Sequence, residues 1–124
     1  MKQKFYICSH CGNIVAMIRD KGVPIICCAE KMRELIPGTS EASAEKHIPE
    51  YEVNDNIVHV TVGATEHPMT REHYIEWICL ETEHGIQYAH LEPEDEPRAK
   101  FALCDGDEVR AVSGFCNQHD LWRK

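Results

Sequence analysis

The sequence lacks a surplus of basic residues. Its 124 residues carry 13 Lys plus Arg against 21 Asp plus Glu, a formal net charge of -8 with His neutral. Phosphate backbones are bound by excess cations, so nucleic acid is excluded as a partner. Long apolar runs are missing as well. None approaches the ~18 residues of a membrane-spanning helix, and no membrane partner is expected. Residues 1–8 hold no apolar stretch of the secretory kind, which makes the cytoplasm the expected compartment. There is no internal repeat, no low-complexity tract and no helix-period segment of useful length. Complete disulfide pairing is impossible, because the seven Cys are odd in number. In a reducing compartment they read as ligands or free thiols.

What is present is a 43% hydrophobic content, enough for a core, together with eight His beside the seven Cys. The length suits one domain, or one small domain plus a metal-stapled one. The pattern divides near Pro37. Before it lie four Cys in two tight pairs and few large apolar residues. Residues 5–7 and 13–19 suit short strands, with a turn at Lys21-Gly22 before Ile25-Ile26. A segment of ~35 residues is too short to fold on burial alone, so residues 1–36 are expected to need a structural metal. Residues 37–46 are small and polar and read as a linker with room for a helical turn.

From residue 47 to 124 the pattern is one of strands. Val58, Val60 and Val62 alternate with His59 and Thr61. Residues 74–81 are aromatic and branched, and residues 86–91 follow the His84-Gly85 turn. Ala99, Phe101 and Leu103 alternate up to Asp105-Gly106, and residues 108–113 form a last strand. Short strands with turns about every ten residues suggest a β-sandwich or barrel. Cys79 and Cys104 are expected as buried thiols on strands.

Two constellations carry chemistry. The first is Cys8-x-x-Cys11, fifteen intervening residues, then Cys27-Cys28. A C-x-x-C turn puts two thiolates on one side of a loop where amides donate to sulfur, and two pairs make a four-sulfur site suited to zinc or iron. Adjacent Cys27 and Cys28 share one peptide unit, which strains the angle between them at a metal. The second comprises His47, His67, His73, Cys116 and His119, all in loops or at strand ends. Each alone has a bland explanation as a surface or capping residue. If all five converge, they leave one octahedral position open, as a redox-active iron needs. Four neutral imidazoles and one thiolate would leave ferrous iron with a net charge of about +1, hospitable to a small anion. A thiolate opposite the open position would donate electron density toward bound oxygen. Lys46 would attract an anion and help deliver protons, and Glu45 would cap the oxidised metal. Plain solvated charge is the competing account of both.

Cys8-x-x-Cys11, Cys27-Cys28, Glu45-Lys46-His47-x-Pro49, His67-Pro68-Met69-x-x-x-His73-Tyr74-Ile75-x-Trp77 and Cys116-Asn117-x-His119 together resemble the desulfoferrodoxin family, the two-iron class of superoxide reductase. The resemblance runs over nearly the whole chain, in order. It implies a desulforedoxin-like N-terminal domain holding a rubredoxin-like iron on Cys8, Cys11, Cys27 and Cys28. It implies an immunoglobulin-like β-sandwich whose His47, His67, His73 and His119 surround a second iron, with Cys116 as axial thiolate. The implied activity is one-electron reduction of superoxide to hydrogen peroxide without release of dioxygen. Rubredoxin or a similar carrier would be the electron donor, and a homodimer the assembly. Lys46 would steer superoxide and organise a proton-donating water, and Glu45 would occupy the sixth position in the ferric state. Asp120 stands where such proteins often carry Gly, which leaves the shape of that loop open. A zinc-stapled binding module and a pure electron carrier are the rival readings, and both leave the second constellation as coincidence or vestige.

Overall fold

A computed structural model describes residues 2–39 and 42–124. The chain forms two compact units, Met1–Ile36 and Pro37–Lys124.

In the first unit β1 (Lys4–Ile7) lies between β2 (Ile14–Met17) and β5 (Arg33–Glu34), all antiparallel. A separate hairpin pairs β3 (Ile26–Cys27) with β4 (Glu30–Lys31). Among its described apolar residues only Phe5, Cys8, Met32 and Leu35 are buried, whereas Ile18, Val23 and Ile26 are 86%, 73% and 63% exposed. So small a core supplies little burial free energy, which leaves a metal as the natural staple. The β1–β2 connection closes on itself: Cys8 N–H donates to the Asn13 carbonyl at 2.9 Å and Gly12 N–H to the Cys8 carbonyl at 3.0 Å. Gly12 meets the turn's demand with φ +83°.

The second unit begins with a short helix, α1 (Ala44–His47), followed by seven strands: β6 (Pro49–Asn54), β7 (Ile57–Val62), β8 (Ile75–Thr82), β9 (Ile86–His90), β10 (Arg98–Ala102), β11 (Val109–Cys116) and β12 (Asp120–Arg123). They form two antiparallel sheets, ordered β10-β7-β6 and β12-β11-β8-β9. This is a β-sandwich of immunoglobulin-like connectivity, as the sequence led us to expect. The alternation read in the sequence becomes the core. Val58, Val60 and Val62 from one sheet pack with Ile75, Ile78, Leu80 and Val112 from the other, and Phe101 and Cys116 complete the cluster.

Three findings differ from expectation. β6 was not foreseen, because Glu50 to Asn54 are all exposed and no period-2 burial marks them. β12 is also additional. Cys104 is not a buried strand thiol: β10 ends at Ala102, and Cys104 is exposed beside the Asp105-Gly106 turn. Cys79, by contrast, is fully buried on β8.

Candidate metal centres

The ligand atoms of Cys8, Cys11, Cys27 and Cys28 all lie within 4.8 Å of one another. Cys8 and Cys11 come from the β1–β2 loop, and Cys27 ends β3. Consecutive strand residues point to opposite faces, so Cys28 would turn away if the strand continued. It does not, because Cys28 and Ala29 both take positive φ, 53° and 61°, and form the two-residue loop of the β3–β4 hairpin. That is the type I′ pattern, normally filled by Asn and Gly. The strain expected between neighbouring thiols is thus carried by the backbone, which swings the second sulfur round to the first.

Amides surround the sulfurs. Cys11 N–H donates to Cys8 Sγ at 3.5 Å, Asn13 N–H to Cys11 Sγ at 3.4 Å, and Asn13 Nδ2 to Cys27 Sγ at 3.8 Å. The Cys11 and His10 amides hold the Cys8 thiol down at about 6. The neighbouring sulfurs, Cys11 first, push Cys28 up to about 12. One thiolate forms readily here, and a second and third resist. A cation among them removes that conflict, so the donor set fits a thiophilic metal. His10, inside the C-x-x-C loop, pairs with Glu30 on β4.

In the sandwich, His47 ends α1, His67 follows β7, His73 precedes β8, Cys116 ends β11 and His119 lies in the β11–β12 turn. Their rings form a closed quadrilateral. Centroid separations are 4.6 Å for His47–His67, 4.8 Å for His67–His73, 5.1 Å for His73–His119 and 5.0 Å for His119–His47. Each adjacent pair is nearly perpendicular, while His47 and His73 face each other across a 6.4 Å diagonal with planes 28° apart. Half that diagonal is close to a metal–nitrogen bond of about 2.0–2.1 Å plus the distance from a ring nitrogen to its centroid. The ligand atoms of His47, His67, His73 and Cys116 fall within 4.8 Å of one another. His119 joins them through Nδ1, 3.8 Å from Cys116 Sγ.

The tautomers decide what this arrangement is for. His47 Nδ1 lies 2.7 Å from the Ser43 carbonyl and His67 Nδ1 2.7 Å from the Pro68 carbonyl. A carbonyl only accepts, so both Nδ1 atoms carry the proton and both Nε2 atoms are bare lone pairs in the neutral rings. Those two Nε2 atoms face each other at 3.1 Å. Neither can donate, and the contact is repulsive unless a cation lies near both. His73 Nε2 is buried with no hydrogen-bond partner among the described residues. Burial lowers the pKa of His47 and His73 and brings His67 to about 4, so the imidazoles are neutral and ready to ligate at pH 7. Burial raises the Cys116 thiol, while the Gln118 and His119 amides act in the opposite direction by donating toward its sulfur. Four nitrogens and one sulfur with these fixed orientations fit a transition metal.

The surrounding backbone holds the donors in place. Asn117 braces His73 from both sides: its Oδ1 accepts from Tyr74 N–H at 3.0 Å and its Nδ2 donates to the Glu72 carbonyl at 3.0 Å. Gly63 lets the loop after β7 pass α1. A Cβ there would lie 2.4 Å from the Lys46 carbonyl oxygen, and its φ is +89°. Glu45 and Lys46, on the same helix as His47, are exposed. Glu45 Oε1 accepts from Thr65 Oγ1 at 2.6 Å. The Lys46 charge adds to the lowering of both His47 and His73, so its field reaches the imidazole cluster. Sequence reading passed over Trp122, which packs on His47, and Gly63. Neither is a ligand type, and their roles appear only once the fold brings α1 to the sandwich. His59, His84 and His90 stand outside both groups of donors.

The desulfoferrodoxin family model matches residues 39–124. The desulfoferrodoxin of Nitratidesulfovibrio vulgaris is 41% identical over 121 residues, covering 97% of this chain and 94% of that protein. The crystal structure of the superoxide reductase from Treponema pallidum superposes with a TM-score of 0.85 at 38% identity, covering 100% of this chain and 99% of the other. The superoxide reductase (1Fe-SOR) of Giardia intestinalis matches with a TM-score of 0.56 at 33% identity, over 64% of this chain and 95% of its own.

Proposed function

This chain belongs to the desulfoferrodoxin family, and from that premise we propose that it is a superoxide reductase with two iron centres. Cys8, Cys11, Cys27 and Cys28 hold one iron, which passes electrons. His47, His67, His73, His119 and Cys116 hold the other, where superoxide is reduced to hydrogen peroxide. The observation that carries this reading is the ring of four imidazoles, each nearly perpendicular to its neighbours, beside a buried thiol. A structural zinc site takes four donors and closes. Five donors leave a place for a small reactant.

The iron, when bound, supplies one electron and one coordination position that the protein does not fill. The chain's own residues do the rest. Neutral imidazoles add no charge, and the Cys116 sulfur, buried and reached by two amides, would hold the metal as its one anionic, electron-rich donor. Superoxide gains one electron and two protons to become hydrogen peroxide, the protons coming from water. Lys46, exposed next to the cluster, attracts the anion and orders a proton-donating water. Glu45, tethered by Thr65, would occupy that coordination position in the ferric state when no substrate is bound. Rubredoxin or a similar one-electron carrier restores the electron, in the cytoplasm, with the protein as a homodimer.

The test is metal analysis with a visible spectrum, followed by superoxide consumption with dioxygen monitored. Two irons per chain, rubredoxin-like bands, a separate oxidant-dependent thiolate-to-iron band, and peroxide formed without dioxygen support the reading. Colourless protein holding only zinc after expression in iron-replete medium overturns it.

A further inference from the structure

Trp122 packs on the ring of one imidazole ligand, His47, and hydrogen-bonds the main chain of another, His119. It is 6% exposed on β12. Its ring centre lies 5.0 Å from that of His47, with planes 30° apart. Its Nε1 donates to the His119 carbonyl at 2.9 Å. His47 and His119 are far apart in sequence, one on α1 and the other in the last turn, and their rings stand at 87°. Across the hairpin from Trp122 is Gly114. Paired residues of an antiparallel ladder share a face, and a Cβ on Gly114 would press against Val62 at 3.2 Å. The glycine leaves that face open beside the indole.

We propose that Trp122 is a positioning residue for the second metal centre: its ring sets the plane of His47 while its N–H anchors the loop that aims His119. This rests on the reading of those two histidines as ligands, and it adds how their perpendicular arrangement is imposed. A metal-bound imidazole is free to rotate about its metal–nitrogen bond unless its other side is held. His47 is held twice, by the Ser43 carbonyl on Nδ1 and by the indole on its face. His119 shows no such carbonyl partner for its ring among the described residues, and the Trp122 bond to its main chain takes that part.

The test uses full-length protein reconstituted with Co(II), which reports geometry independently of redox chemistry. Hyperfine-shifted ring N–H resonances arise from the histidine centre, because the other centre has only sulfur donors. In Trp122→Leu, which removes both ring and donor, the His47 and His119 signals should move while those of His67 and His73 stay. Loss of metal from this centre to a chelator should become about tenfold faster or more. Trp122→Phe keeps a ring against His47 and loses the donor, so only the His119 signal should move, with an intermediate release rate. If Trp122→Leu does not fold, the selective His119 shift in Trp122→Phe decides the matter. Variants with a lower melting temperature but unmoved signals and wild-type release rates would make Trp122 mere packing and overturn the proposal. Wild-type protein showing no shifted imidazole signals would overturn the assignment of the ligands, and the positioning role with it.

Discussion

Cys79 and Cys104 show how far a residue's chemistry depends on two or three positions of chain. Both are extra thiols that read alike in sequence, in strand-like company. Cys79 faces Ser113 and Tyr88 across its neighbouring strands and is fully buried. Burial pushes its thiol from 9.0 up to about 12, with the Glu81 charge adding to the effect. Cys104 falls just past the end of β10 and is exposed. A thiol reagent is therefore expected to modify Cys104 in the native holoprotein and to reach Cys79 only on unfolding, as peptide mass mapping would show. The Cys79 shift also has a sign for stability. The unfolded thiol ionises near 9 while the folded one stays protonated to about 12, so its contribution is complete below pH 9 and declines as pH rises through that window. Denaturation midpoints of wild type and Cys79→Ala should converge between pH 9 and 12. The nine proposed ligands were legible as residue types at telling spacings. The packing of Trp122 on His47 and the bracing by Asn117 were not, because each joins residues more than 40 positions apart.

At the scale of elements, the decisive pieces are turns. The alternating valines of β7 and the apolar run of β8 announced the sandwich because side-chain period and burial coincide there. β6 carried no such signal, since an exposed strand is held by ladder bonds that its side chains do not advertise. The β3–β4 turn was legible as ligands and not as geometry: nothing in Cys27-Cys28-Ala29-Glu30 spells a type I′ hairpin, whose positions usually belong to Asn and Gly. Its strain has a testable size. Ala29 sits at φ 61°, a conformation that costs an L-residue roughly 1–2 kcal/mol and glycine far less. Ala29→Gly should stabilise the first unit by about 1 kcal/mol after the added flexibility of the unfolded chain is counted. The check is a higher denaturant midpoint for bleaching of the proposed four-thiolate iron chromophore, with the band positions unchanged. A fall in that midpoint would mean that the turn is held by Ala29 contacts and not opposed by its backbone. Asp120 at φ 62° presents the same problem at the start of β12, opposite Cys116. This is the position at which the sequence departs from a common glycine.

For the whole molecule, the net charge of -8 sets a problem for an enzyme of an anion. Viewed from a distance the protein repels superoxide, and added salt should then speed the encounter by screening the repulsion. Near the sandwich's metal centre the balance is different. Burial keeps His47, His67 and His73 neutral there, and Lys46 is exposed with its field reaching His47 and His73. At 0.1 M ionic strength the screening length is about 10 Å. Lys46, next in sequence to the proposed ligand His47, acts inside that distance, with Glu45 the carboxylate adjacent to it in sequence. If the local field governs, the rate of superoxide association should fall as salt is added, despite the protein's negative sign. Lys46→Ala should lower that rate at low salt and flatten or reverse its salt dependence, leaving the repulsive background. Lys46→Arg should retain most of the attraction, since the charge survives while the ammonium that orders the proton-donating water is replaced. Fast-mixing or pulse-radiolysis rates for the three proteins across ionic strength would separate these terms. A wild-type rate that rises with salt, or a Lys46→Ala rate equal to wild type at low salt, would show that superoxide reaches the metal without electrostatic help from this residue.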